Sequence, residues 1–73
     1  MWTLRTRRGL FWIRQSSKTG KYELSIDREK LDTYDSPEQA AKAVHQHTSG
    51  FGWWDWSHLE APESLAGWNK WKT

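Results

Sequence analysis

The sequence predicts an α+β domain: a three-stranded antiparallel sheet packed on one α-helix, with a Trp-rich C-terminal segment wrapping the core. Three observations predict it. Residues 21–27 alternate strictly. Tyr22, Leu24 and Ile26 fall on one side, and Lys21, Glu23, Ser25 and Asp27 on the other, as in a strand with one buried and one wet face. Ser36-Pro37-Glu38-Gln39 opens a helix, with a capping hydroxyl, a Pro suited to the first helical position and a Gln placed to reach back. Seven Trp, two Tyr and two Phe supply large apolar side chains to a 73-residue chain that has no Cys to staple it.

The elements follow in chain order. Residues 1–8 read as a loose arm or an extra strand, ended by Arg8-Gly9. Leu10–Gln15 is aromatic and β-branched, and reads as the first strand of the sheet. Phe11 and Ile13 lie on one face; Leu10, Trp12 and Arg14 lie on the other. Ser16-Ser17-Lys18-Thr19-Gly20 is a turn, and its Gly tolerates the positive φ of a hairpin loop. The alternating strand comes next, then a turn at Arg28-Glu29-Lys30 and a short strand over Leu31–Tyr34. The helix is expected over residues 37–48. Ala40, Ala41, Val44 and Thr48 would share its inner face, and Gly50 would follow its end. Expected core residues are Phe11, Ile13, Tyr22, Leu24, Ile26, Ala41 and Val44. Residues 51–73 are an aromatic wrap, with one helical turn begun by Pro62-Glu63-Ser64-Leu65 that aims Leu65 and Trp68 the same way, and with fraying over 69–73. The whole chain, 1–73, reads as one domain, with sheet and helix in 9–50.

Part of this pattern resembles a known family. Gly20-Lys21-Tyr22, followed by Leu31-Asp32-Thr33-Tyr34-Asp35-Ser36-Pro37-Glu38-Gln39-Ala40-Ala41-Lys42-Ala43-Val44, resembles the ethylene-response-factor type DNA-binding domain. In that family a Gly-Lys-aromatic strand precedes Leu-Gly-Thr-Phe, a capping residue and an Ala-Ala-rich helix. The resemblance covers about residues 11–45. It implies a three-stranded sheet on one helix, with Arg and Trp of the exposed sheet face entering the DNA major groove. Trp12 and Arg14 stand where such contacts would be made. The chain departs from the family at Asp32, where the family has Gly, and at Glu23, Ser25 and Asp27, where it has basic side chains. The aromatic tail has no counterpart there.

Charge points the same way as the resemblance. Residues 1–22 carry six bases (Arg5, Arg7, Arg8, Arg14, Lys18 and Lys21) and no acid, while residues 23–73 carry five bases and nine acids. The +6 and −4 sum to the net charge of +2. A basic third in a near-neutral chain suggests a nucleic-acid or other acidic partner; a solvated basic edge that discourages strand pairing is the plainer reading.

The first candidate surface is therefore nucleic-acid binding by Arg5, Arg7, Arg8, Trp12, Arg14 and Lys18, the cations neutralising phosphates and Trp12 stacking. The rival is a protein-interaction surface of Trp53, Trp54 and Trp56, facing another protein or a second copy of the chain. Its alternative is that this segment folds over the sheet and completes the core. His45, His47, His58 and Asp55 raise the question of a metal. His45 and His47 lie about 200° apart around a regular helix and so cannot share one. They read as exposed polar residues, and no metal site is expected. Catalysis has no motif to rest on: there is no Cys, nucleophile elbow or Gly-rich phosphate loop. A binding module is expected, not an enzyme, and no cofactor. The absence of Cys, of a ~20-residue apolar run and of a secretory signal's apolar stretch leads to the expectation of a cytoplasmic protein without a membrane partner.

Overall fold

The structure is a computed structural model and describes residues 1–71. Its strands are β1 (Trp2–Thr6), β2 (Gly9–Gln15), β3 (Tyr22–Ile26), β4 (Glu29–Tyr34) and β5 (Asn69–Lys70). Its helices are α1 (Pro37–His45) and α2 (Gly52–Asp55), and a single 3-10 turn spans Leu65–Gly67. All strand pairs are antiparallel, in the order β4-β3-β2-β1-β5. The fold is α+β with one main helix, but the sheet has five strands where three were expected.

The two extra strands have separate causes. β1 pairs along its whole length with β2, from Trp2 opposite Ile13 to Thr6 opposite Gly9. Its register puts Trp2 and Leu4 on the face that carries Phe11 and Ile13, so the N-terminal residues add apolar surface to the core. The connecting turn works because Gly9 holds φ +139°. A side chain there would be strained and its Cβ would sit 2.6 Å from Asp27 Oδ2. β5 exists because Trp68, nearly buried, anchors the chain just ahead of it. The backbone then closes against β1, with Trp71 N–H donating to the Met1 carbonyl at 2.7 Å. Asn69 and Lys70 were expected to fray and are instead paired; Lys72 and Thr73 lie outside the described residues.

β3 and β4 form a hairpin through Asp27 and Arg28, Asp27 taking φ +50°, a conformation Asp tolerates better than most residues. Its carboxylate accepts the Leu10 N–H at 3.0 Å, tying the turn to β2. A bulge between Leu24 and Ser25 shifts the β3–β4 register.

α1 starts as the sequence requires. Ser36 accepts the Gln39 N–H at 3.2 Å, a cap worth about 1 kcal/mol. The Gln39 side chain accepts instead from Asp35 N–H, one residue before the cap. The helix ends at His45, three residues short of the expected 48, because His47 turns to φ +58°. Thr48 is thus off the inner face, which is made by Ala40, Ala41, Ala43 and Val44. These small side chains let α1 sit close over β2, β3 and β4.

The core lies between α1 and one sheet face. Phe11, Ile13, Leu24, Ile26, Ala41 and Val44 are buried as expected; Tyr22 is half-buried at its margin. The C-terminal segment fills the rest. Trp54 is fully buried, edge-on to Phe11 at 5.2 Å, with its Nε1 donating to the Val44 carbonyl at 2.8 Å. Trp68 and Ala61 join the same cluster, with Leu65 packed against it. α1, α2 and the 3-10 turn all feed this one side of the sheet. The opposite, outward face carries no helix among the described residues.

Candidate nucleic-acid interface

Register decides which side chains share the outward face. Thr3 pairs with Trp12, Trp12 with Ser25, and Ser25 with Lys30, so all four lie on it. Arg5 pairs with Leu10 and Arg14 with Glu23, extending the face along β1 and β2. Trp71, one residue past β5, joins it through a hydrogen bond from its Nε1 to Thr3 Oγ1 at 2.6 Å. The outward face therefore carries two indoles and three cations.

The rings are held at their edges. Trp12 Nε1 donates to the Asp27 carbonyl at 2.8 Å, and the Arg14 guanidinium lies over the Trp12 ring, 5.4 Å from its centroid. Glu23, an acid where the resembled family has a basic side chain, sits between two cations. Its carboxylate is 3.3 Å from Lys30 and 3.4 Å from Arg14. The hydrogen bond from Lys30 holds the Glu23 carboxyl below its ordinary value; partial burial opposes this, and Arg14 adds to the lowering. The acid is thus neutralised locally, and the trio carries a net positive charge.

A pH dependence follows from that lowering. The ionised carboxylate favours the folded state wherever the unfolded chain's Glu is ionised, and that preference is lost as pH falls through the lowered folded-state value. On a thermal-melting profile against pH, the wild type is expected to lose stability relative to Glu23→Gln as pH drops below the ordinary carboxylate range. Parallel profiles for the two proteins would contradict the pairing.

The six residues expected to bind nucleic acid divide into three groups. Arg5, Trp12 and Arg14 are together on the outward face. Arg7 and Arg8 form the β1–β2 turn at one end of it. Lys18 lies in the β2–β3 turn at the other end, about 20 Å away at the rise of a seven-residue strand. Among the described residues, Arg5, Arg7, Arg8 and Lys18 have no acidic side chain within salt-bridge distance. Trp71 and Lys30 were not foreseen. The signal for Trp71 is its distance of three from Trp68, which reverses the side of the chain once Trp68 is buried. Lys30 needed the strand to begin at Glu29.

The rival aromatic surface is corrected in one residue. Trp54 belongs to the core and is not available to a partner. Trp53 and Trp56 are 71% and 88% exposed. They flank a shallow depression lined also by Phe51 and Glu29.

His58 is exposed as expected, but His45 and His47 are half-buried and hydrogen-bonded. His45 Nδ1 lies 2.8 Å from the Ala61 carbonyl oxygen and His47 Nε2 2.7 Å from that of Leu59. A carbonyl only accepts, so each of those nitrogens carries the proton. The turn at His47 leaves the helical path, which lets two histidines reach the same C-terminal strand of chain. His47 also stacks on Trp54, at 5.3 Å and 8° from parallel. Asp55 is spent on the loop ahead of α2: it accepts from Ser49 N–H and Ser49 Oγ at 3.0 and 2.7 Å, and from Gly50 N–H at 2.9 Å. No helix among the described residues is long and apolar enough to cross a membrane.

Compared with known protein families, with curated proteins and with solved structures, the chain matches none. Any reading of function must come from the surface itself.

Proposed function

We propose that this domain binds nucleic acid through the outward face of its sheet and the turns at either end. One observation carries the reading: a sheet face without a helix over it among the described residues that groups Trp12 with Arg5, Arg14 and Lys30, and runs into Arg7 and Arg8. Phosphates would meet the cations, and the indole would meet bases or a groove wall. The resemblance to the ethylene-response-factor type domain agrees with this choice of face, since Trp12 and Arg14 are its outward residues. Bound Glu23 no longer stands as a free acid against phosphates.

The test is the salt dependence. If three or four of the cations engage a single strand, affinity for a mixed-sequence oligonucleotide is expected to fall about 20- to 50-fold between about 50 and 200 mM salt. The double variant Arg7→Ala, Arg14→Ala should flatten that slope. An affinity indifferent to salt, or no binding at low salt, sinks the proposal.

A second reading rests on Trp53 and Trp56. Two adjacent, well-exposed indoles are unusual on a domain this small, and Trp is enriched where proteins bind proteins. This surface would take a protein partner or a second copy. Its binding would be nearly indifferent to salt, and Trp53→Ala with Trp56→Ala would remove it without touching oligonucleotide binding.

A further inference from the structure

Resting on the nucleic-acid reading, we infer that the ligand is single-stranded, its unpaired bases stacking on the rings of Trp12 and Trp71. Three features of the outward face support this narrower assignment.

The first is the placing of the two indoles. Trp12 stands on β2 and Trp71 just past β5, the strands on either side of β1. Strands two apart in a sheet are about 10 Å apart. Between the rings lies Thr3, only 8% exposed although it points outward. Trp71, by contrast, is 56% exposed and rests on the surface without filling a core.

The second is what each ring has left to offer. An indole donates one hydrogen bond, through Nε1. Trp12 spends it on the Asp27 carbonyl and Trp71 on Thr3 Oγ1. Neither ring can read a base edge with that donor. Trp71 is fixed at one rim and its ring is well exposed, whereas half-buried Trp12 is capped by the Arg14 guanidinium, so a base meets it by stacking on that plane or by displacing it. A π-face stacks on any base, and a base inside a duplex has its own faces already covered by its neighbours.

The third is the line of charge. Arg14 lies over Trp12, so a phosphate that draws the guanidinium aside would uncover the ring beneath it for a base. Arg5 precedes them along the face, the Arg7-Arg8 turn closes one end and Lys18 the other. A single strand laid along β2 meets cations throughout its path. Of the acids near this path, Glu23 is offset by Lys30 and Arg14, and Asp27 is turned to Leu10 N–H.

The experiment compares a fluorescently labelled ten-residue thymidine oligonucleotide with the matching adenine–thymine duplex at low salt, by anisotropy. Wild type is expected to prefer the single strand. Trp71→Leu removes a π-face at an exposed site, and Trp12→Leu removes the other while keeping apolar volume; each is expected to weaken single-strand binding about 5- to 150-fold. Trp12→Phe keeps a face and is expected to retain most of the affinity. Circular dichroism establishes that each variant is folded, and Trp71→Leu, touching no core residue, decides the matter if Trp12 variants unfold. Equal or tighter binding of the duplex, or single-strand affinity unchanged in Trp71→Leu, overturns the single-strand assignment while leaving salt-dependent nucleic-acid binding in place. Failure of wild type to bind either probe removes both.

Discussion

Trp54→Ala is expected to lower the melting temperature of this domain by roughly 12–40 °C, whereas Trp53→Ala and Trp56→Ala leave it nearly unchanged. The three residues are neighbours in sequence and opposite in consequence. Trp54 is fully buried, contacts Phe11 edge-on, stacks under His47 and hydrogen-bonds the end of α1 through Val44. Truncating a buried aromatic to Ala costs about 3–5 kcal/mol, from lost transfer energy and the cavity left behind. In a domain of this size each kcal/mol shifts the melting temperature by roughly 4–8 °C. Total stability of small domains sits near the lower end of about 5–15 kcal/mol, so the variant would be largely unfolded at physiological temperature. Trp53 and Trp56 are mostly in water, and exposed substitutions are usually neutral to within about 0.5 kcal/mol. Thermal melts followed by circular dichroism distinguish the cases. A Trp54→Ala variant melting with the wild type would mean that the C-terminal segment does not complete the core.

Asp55→Ala is expected to cost about 3 kcal/mol, a melting-temperature loss of roughly 12–24 °C in a domain of this size. The reason is the concentration of hydrogen bonds on one carboxylate. Ser49 is almost completely buried, and both its amide and its hydroxyl donate to Asp55 Oδ1; Gly50 N–H donates to Oδ2. Removing the acceptor strands a buried amide and hydroxyl, each expensive to leave unmade. It also frees the loop that carries α2 and therefore Trp54. Asp55→Asn keeps one acceptor and should lose about half as much. If Asp55→Ala and the wild type melt together, the loop is not held by this carboxylate.

These two residues also show where the sequence was readable and where it was not. The strand over residues 22–26 and the start of α1 were legible, because alternation and a capping Ser are local signals. The inner faces of β2 and β3 followed from the same parity. β1 was left open between arm and strand: Trp2 and Leu4 alternate correctly, but nothing in residues 1–8 announces a partner, and β2 supplies it only in three dimensions. β5 was invisible, since two residues carry no periodicity and their pairing depends on Trp68 being anchored 66 residues after Trp2. The helix was placed three residues too far because His47 adopts a left-handed conformation that no neighbouring Gly foretells. Adjacent Trp53 and Trp54 had to separate, one inward and one outward; which was which depended on Phe11. The outward trio of Arg5, Trp12 and Arg14 was only partly readable. Trp12 and Arg14 share parity on one strand, while Arg5 joins them through a register that the hairpin turn sets.

The seven Trp give the most direct test of where a ligand sits, because each reports a different place. Trp12 and Trp71 mark the outward face, Trp54 and Trp68 the core, Trp53 and Trp56 the exposed side and the C-terminal cap of α2, and Trp2 the margin of the inner face beside Tyr22. The measurement is the indole N–H region of a nitrogen–proton correlation spectrum, recorded while the ten-residue thymidine oligonucleotide is titrated in. Binding by the outward face predicts that the Trp12 and Trp71 signals move most and together, while those of Trp53 and Trp56 stay. Movement confined to Trp53 and Trp56, with Trp12 and Trp71 fixed at saturation, would contradict it.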